Sequence, residues 1–202
     1  MADRQPASRA SVRREQIVDA AIDLFGQRGF RGTSVAAVAQ HVGVTDAGVL
    51  YHFRTKDDLL VAVVERLSHA HWDAMQAGLS AGGLGSIRAL GAWGAWMEAN
   101  REYQALMVVL SAEHLNDDSV VNRYFTKRYG ALLSGITEAF RRAVADGDLR
   151  AGTDPQLEAS QFVALLDGIR LQWFLLGEAV SMAEAVERYI DATITRLTDP
   201  EA

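Results

Sequence analysis

Apolar residues recur at helical spacing along nearly the whole chain, and no stretch alternates as a strand would. Between about Val12 and Arg28, Ile17, Ala21, Leu24 and Phe25 fall at i, i+4, i+7 and i+8. They form one stripe that predicts a helix packed on its successors, with Gly29 as its end. From Ser34 to Phe53 the pattern shortens. Ser34 is a good N-cap, because its hydroxyl can accept a bond from an N–H one turn on. Val35, Val38, Ala39 and Val42 give the next helix one apolar face, and Gly43 is placed to end it in a left-handed conformation. Val44 fills the turn and Thr45 caps a further short helix. The apolar side of that helix is predicted to be Val49, Leu50 and Phe53, which leaves Asp46, Ala47, Gly48, Tyr51 and His52 for other surfaces.

Thr55 and Asp58, three apart, resemble a capping box ahead of the apolar run LLVAVVERL, so a fourth helix is expected from about 56 to 77. The segment GLSAGGLGS, residues 78–86, carries four glycines and marks the expected domain boundary. Beyond it, helices are predicted over Ile87–Asn100, Glu102–Leu115 and, after a Ser119 cap, to about Ala145. Pro155 suits a first helical position with Asp154 as cap. The helix it opens, about Pro155–Gly177, is apolar around nearly its whole circumference, which predicts burial on more than one side. Ser181 with Glu184 opens a last helix to Leu197, striped by Met182, Val186, Tyr189, Ile190 and Leu197. The expected organisation is an all-α chain: a disordered arm over 1–10, a small helical unit over 11–55 and a larger helical body over 56–202.

Composition narrows the function. The chain has 202 residues, 49% of them hydrophobic, and no cysteine, which excludes disulfides, thiolate metal sites and a cysteine nucleophile. The opening residues lack the apolar core of a signal peptide, and no run approaches the ~20 apolar residues that span a bilayer, so a cytoplasmic protein with no membrane partner is expected. The net charge of −6 is unevenly distributed. Residues 1–56 hold eight Lys/Arg against five Asp/Glu, or +3, and the remainder hold 12 against 21, or −9. A basic N-terminal unit on an acidic body suits a nucleic-acid partner for the first alone.

A capped helix, a Gly-containing turn and a second capped helix constitute a helix-turn-helix, whose second helix enters the major groove. Together with RREQIVDAAIDLFGQRGF before it and YHF followed by TKDDLL after it, this stretch resembles the TetR family of bacterial transcriptional regulators, most strongly over Arg13–Leu60. The resemblance implies a homodimer on a double-stranded DNA operator. It also implies repression relieved by a small effector, and a phosphate contact from Lys56. The tyrosine common in the family at the position of Leu50 stands one residue later here, so Tyr51 and His52 become the implied backbone contacts. The candidate DNA-binding set is Ser34, Thr45, Asp46, Ala47, Gly48, Tyr51, His52 and Lys56. Asp46 is suited to a cytosine amino group and Ala47 to a thymine methyl.

In the body, aromatic and sulfur-bearing residues offer either an ordinary core or the wall of a cavity for a flat, apolar, uncharged or weakly charged molecule. The candidate lining is His69, Trp72, Trp96, Tyr103, Met107, His114, Phe125, Tyr129, Phe162 and Leu166. The expected dimer interface lies on the last two helices, at Ile169, Trp173, Phe174, Met182, Val186, Tyr189, Ile190 and Leu197, a four-helix bundle by the family resemblance. Asp167 and Arg170, three apart, read as a structural ion pair. No phosphate loop, nucleophile elbow or metalloprotease motif is present. His69 and His71 point to different helix faces, so neither a cofactor nor a metal is expected. Two other functions fit the pattern: a regulator without a ligand, whose body recruits another protein, and a helical enzyme reusing the fold.

Overall fold

The computed structural model describes residues 9–79, 82–115 and 118–198, and the side chains of all of these except 9, 68–77 and 178. Every described element is helical: α1 (Arg9–Gly32), α2 (Val35–Val42), α3 (Asp46–His52), α4 (Lys56–Leu79), α5 (Gly83–Leu90), α6 (Trp93–Ala99), α7 (Arg101–Glu113), α8 (Val120–Ala145), α9 (Pro155–Leu176), a 3₁₀ turn at Gly177–Ala179, and α10 (Met182–Thr198). The all-α expectation therefore holds. The predicted arm lies outside the described residues up to position 8, and α1 is already helical at Arg9. Two compact units divide the chain, Met1–Ser68 with Asp117–Tyr124 and His69–Asn116 with Phe125–Ala202. The division falls inside α4 and α8 rather than at the glycine segment.

In the first unit, Ile17, Val18, Ala21, Leu24 and Phe25 of α1 are buried with Val38 and Ala39 of α2, Val49 of α3, and Leu59, Leu60, Val63 and Val64 of α4. The predicted end of the first helix is real as a break: Gly29 has φ 72° and ψ 163°, and one more turn follows to Gly32. That turn brings Phe30 edge-on to Phe25, ring centroids 5.3 Å apart. The buried Thr33 hydroxyl is shared between the carbonyls of Leu24 and Gly29, at 3.1 and 3.0 Å. Arg66 of α4 pairs with Glu15 of α1 and, at 3.7 Å, with Asp19.

In the second unit, one apolar core joins Ile87 and Leu90 of α5, Trp93 and Met97 of α6, Ile136 and Phe140 of α8, Phe162 and Leu166 of α9, and Met182, Val186, Ile190 and Leu197 of α10. The single helix expected over Ile87–Asn100 is two, because the chain turns at Gly91–Ala92. Separating them lets α6 approach α10 closely. A Cβ on Gly94 would lie 2.2 Å from the Met182 carbonyl oxygen and 2.8 Å from Ala183 Cα, both backbone atoms. Glu98 of α6 then accepts from the Ser181 hydroxyl at 3.0 Å and from the Ala183 N–H at 3.2 Å. The predicted Ser181 cap forms beside it, the Ser181 hydroxyl oxygen accepting from the Glu184 N–H at 3.2 Å, while the Glu184 carboxylate pairs with Arg188 one turn on. Pro155 opens α9, capped by Asp154, which accepts from the N–H groups of Gln156 and Leu157. One flank of α9 is stapled to α10 by Arg196, whose two Nη atoms donate to the buried Glu158 carboxylate at 3.0 and 2.7 Å.

Candidate functional site

The reading surface of the first unit follows from its caps. Ser34 accepts from the Ala37 N–H and Thr45 from the Gly48 N–H, both at 3.1 Å, so each short helix starts where its hydroxyl stands. Gly43, at φ 73° and ψ 39°, turns the chain left-handed, and the Val44 N–H donates back to the Ala39 carbonyl at 2.9 Å. This is the Schellman closure that a side chain at 43 would strain. Val49 and Phe53 are then buried and fix the roll of α3. Contrary to the sequence reading, Leu50 is on the outside, 43% exposed. It extends the free face formed by Asp46, Ala47 and Tyr51, the last 82% exposed. The Tyr51 and His52 rings meet edge to face at 5.2 Å.

Gly48 has room: a Cβ there would stand 3.4 Å from Thr45 Oγ1 and 3.5 Å from Val44 Cβ, ordinary contacts. Crowding within the chain therefore does not explain this glycine. Lys56 sits in the first turn of α4 behind a reciprocal cap. The Thr55 N–H donates to Asp58 Oδ2 at 2.9 Å and the Asp58 N–H to Thr55 Oγ1 at 3.0 Å. The Lys56 ammonium lies 4.1 Å from the Phe30 ring centroid, a cation–π contact. Partial burial lowers its pKa, with Asp57 opposing, and the contact aims the cation instead of leaving it to sweep solvent.

The second unit contains a cavity of about 60 Å³ bounded by α6, α7, α8 and α9. Six predicted residues line it: Trp96, Tyr103, Met107, Phe125, Tyr129 and Leu166. Phe162 does not; it is fully buried between Trp93 and Tyr189, at ring distances of 5.7 and 6.0 Å. His114 is absent from the lining and stands at the end of α7. The side chains of His69 and Trp72 lie outside the described residues.

Trp93 and Met97, two of the aromatic and sulfur-bearing residues weighed as core or cavity wall, line it as well, and the sequence reading missed Gln104, Arg128, Leu132, Val163, Asp167 and Arg170. With Arg128, Asp167 and Arg170 present, the lining is not the nearly uncharged one expected. The Asp167–Arg170 pair exists, Nη2 to Oδ1 at 3.5 Å, but it faces the cavity. Asp167 Oδ1 also accepts from the Tyr129 hydroxyl at 2.9 Å. Burial first, then the Asp167 charge, pushes the Tyr129 pKa up to about 12, so the phenol remains a donor at neutral pH. The spacing did hold a signal, since Val163, Leu166, Asp167 and Arg170 share one face of α9.

The predicted dimer set needs correction. Met182, Val186, Ile190 and Leu197 are between 0 and 2% exposed and Ile169 is 8% exposed, within the core of this chain itself. These four residues of α10 are already covered within the chain by α5, α6 and α9. Tyr189 is half-buried. Trp173 and Phe174 are half-buried too, with the Arg101 guanidinium 4.4 and 5.0 Å from their ring centroids. The large apolar residues exposed on these helices are Leu157, Leu171, Leu175 and Leu176 of α9. Among the described residues no group of three or more His, Asp or Glu could hold a metal ion, and no helix is long and apolar enough to cross a membrane.

Comparison with known proteins places this geometry. The family model "Bacterial regulatory proteins, tetR family" matches residues 17–63, which contain α2 and α3. The model "BetI-type transcriptional repressor, C-terminal" matches residues 95–198, more than half of the chain. The protein belongs to the TetR family. It is a DNA-binding transcriptional regulator with the helix-turn-helix of that family in its first unit. Among curated TetR-family relatives, the HTH-type transcriptional regulator TtgR of Pseudomonas putida is 28% identical over 208 residues, 96% of this chain and 95% of its own. Among solved structures, SmeT, the repressor of the Stenotrophomonas maltophilia multidrug efflux pump SmeDEF, superposes with a TM-score of 0.74 at 21% identity, over 96% of this chain and 92% of its own. The SmeT–triclosan complex superposes with a TM-score of 0.71 at 22% identity, over 94% and 93%. At these identities, the two structures establish a shared fold.

Proposed function

We propose that this regulator is a repressor that occupies a palindromic operator as a homodimer and is released by a small molecule bound in the second-unit cavity. Its target implies the cytoplasm, and no catalytic role is assigned. The single observation that carries the effector reading is the cavity, where aromatic walls enclose an ordered polar group, Tyr129–Asp167–Arg170. The triclosan-bound SmeT, a protein of the same fold, supports it.

DNA contact is assigned to Thr45, Tyr51, His52 and Lys56 on phosphates and to Asp46, Ala47 and Gly48 at base edges, with Ser34 capping the supporting helix. The assignment is supported by the exposure of Asp46, Ala47 and Tyr51 on α3 and by the held Lys56 ammonium. The dimer surface is assigned to the outer face of α9. Leu157, Gln161, Ala164, Gly168, Leu171 and Leu175 are all exposed there at steps of four, three, four, three and four residues. The small Ala164 and Gly168 at its centre permit close approach of a second helix. Two reading helices must lie ~34 Å apart or a multiple of it. A ligand that binds better to another spacing weakens DNA binding by reciprocal linkage. The chain path for that linkage is α4, whose residues Lys56–Leu79 run from the first unit into the second.

One observation favours a second reading. At about 60 Å³ the cavity is smaller than the ~300 Å³ at the lower end for ligand sites, so an effector must displace side chains to enter. A regulator with no ligand, whose body recruits a protein, needs no such movement. Tryptophan fluorescence separates the two, because Trp93 and Trp96 line the cavity. Under the effector reading, some members of a library of aromatic and aliphatic compounds shift emission and release operator DNA over the same concentration range. If no compound does both, the recruitment reading replaces it.

A further inference from the structure

The aromatic wall alone would suit three ligand chemistries: a neutral ring, a caged cation or an aromatic acid. The charged residues of the lining separate them. Arg128 and Arg170 stand against one carboxylate, Asp167, so the cavity carries an excess of one positive charge. The Arg128 guanidinium lies 6.0 Å from the Tyr103 ring centroid, the place that a caged cation would take. Asp167 Oδ1 is already shared between the Tyr129 hydroxyl and Arg170 Nη2. Arg170 Nε, by contrast, is buried and has no hydrogen-bond partner. A buried donor on a charged group left unmatched is costly, and a guanidinium edge matches a carboxylate in shape and charge. A carboxylate oxygen on Nε would satisfy the donor and neutralise the excess charge, while the Tyr129–Asp167 bond keeps the guanidinium in place.

We infer that the effector is a small organic acid, a flat apolar body bearing one carboxylate, bound with the body among Trp93, Trp96, Met107 and Phe125 and the carboxylate on Arg170. This rests on the effector reading and gives that site its ligand class. The flexible Met97 and Met107 are the wall residues best able to yield to the body of the acid.

The test is calorimetric titration of the full-length protein with benzoate and 4-phenylbenzoate, their amides, and benzyltrimethylammonium. The inference expects each acid to bind at least tenfold more tightly than its amide, and the cation not to bind. Arg170→Gln should lower acid affinity at least tenfold and abolish the preference for acid over amide. Arg170→Lys, which keeps the charge but lacks Nε, should retain part of the preference and serves if Arg170→Gln does not fold. An amide or the cation binding as tightly as the acid would overturn the acid and leave the effector reading standing. So would an acid preference that survives Arg170→Gln. If none of the five binds, the acid is rejected, and the wider compound library decides the effector reading separately.

Discussion

The two units use their apolar residues differently. In the first, each short helix has one buried stripe, and what lies outside it is the surface proposed to read DNA: Val49 and Phe53 go in, and Asp46, Ala47, Leu50 and Tyr51 stay out. In the second, α10 has a stripe as clear as any in the chain, yet Met182, Val186, Ile190 and Leu197 are consumed by the core of the same unit, with Tyr189 half-buried against it. The surface proposed for a partner is on α9, whose apolar residues run all the way round. A clean stripe therefore marks a helix with one set of neighbours. A helix apolar on both sides is the one with a face to spare.

Substituting the two kinds of position should break this contrast most forcefully. Ile190→Asp puts an unpaired charge into the core and should cost more than about 4 kcal/mol, so thermal or denaturant melting should find the second unit unfolded rather than dissociated. Leu171→Asp on the outer face of α9, 50% exposed, should change melting by no more than about 0.5 kcal/mol yet lower the sedimenting mass toward a monomer. A folded monomer from Ile190→Asp would return the interface to α10.

Next in size is Gly94→Ala. Its Cβ would meet backbone of Met182 and Ala183, which cannot rotate away, so α6 and α10 must separate. The cost should reach about 3 kcal/mol, the upper part of the usual overpacking range, and a melt unchanged from wild type would disprove the close approach.

Much of the first unit was legible because its determinants are local. Ser34, Gly43, Thr45 and the Thr55–Asp58 pair act within three or four residues of themselves, and each does what its spacing predicted. Leu50 was misread because a seven-residue helix gives too few turns to fix a stripe. In the second unit the determinants are distant in sequence. Glu98 reaching the start of α10, Gly94 yielding to Met182, and Arg170 facing residues of α6, α7 and α8 all depend on topology that no local pattern encodes. Asp167 and Arg170 were recognised as a pair, but a three-residue spacing cannot say whether the pair faces solvent, core or cavity.

Smaller effects sharpen the account of the first unit. Thr45→Ala removes the acceptor for the Gly48 N–H and should cost about 1 kcal/mol in a denaturant melt, as N-caps do. Gly48→Ala is the subtler probe. The chain has room for the Cβ, and alanine is the better helix former, so stability should rise by up to about 1 kcal/mol. DNA affinity should nevertheless fall if that backbone approaches a base edge. Equal or tighter DNA binding would move the close approach elsewhere on α3.

The central claim is that two copies of α3 read a symmetric site. Enrichment of a random duplex library on the full-length protein, followed by titration of the winning sequence at several salt concentrations, tests it most directly. The account predicts an inverted repeat with half-site centres ~10 base pairs apart or a multiple of that, and an affinity that falls steeply with salt. In Lys56→Ala the salt slope should be smaller by about one unit. A single unrepeated motif, or no enriched sequence at all, would contradict it.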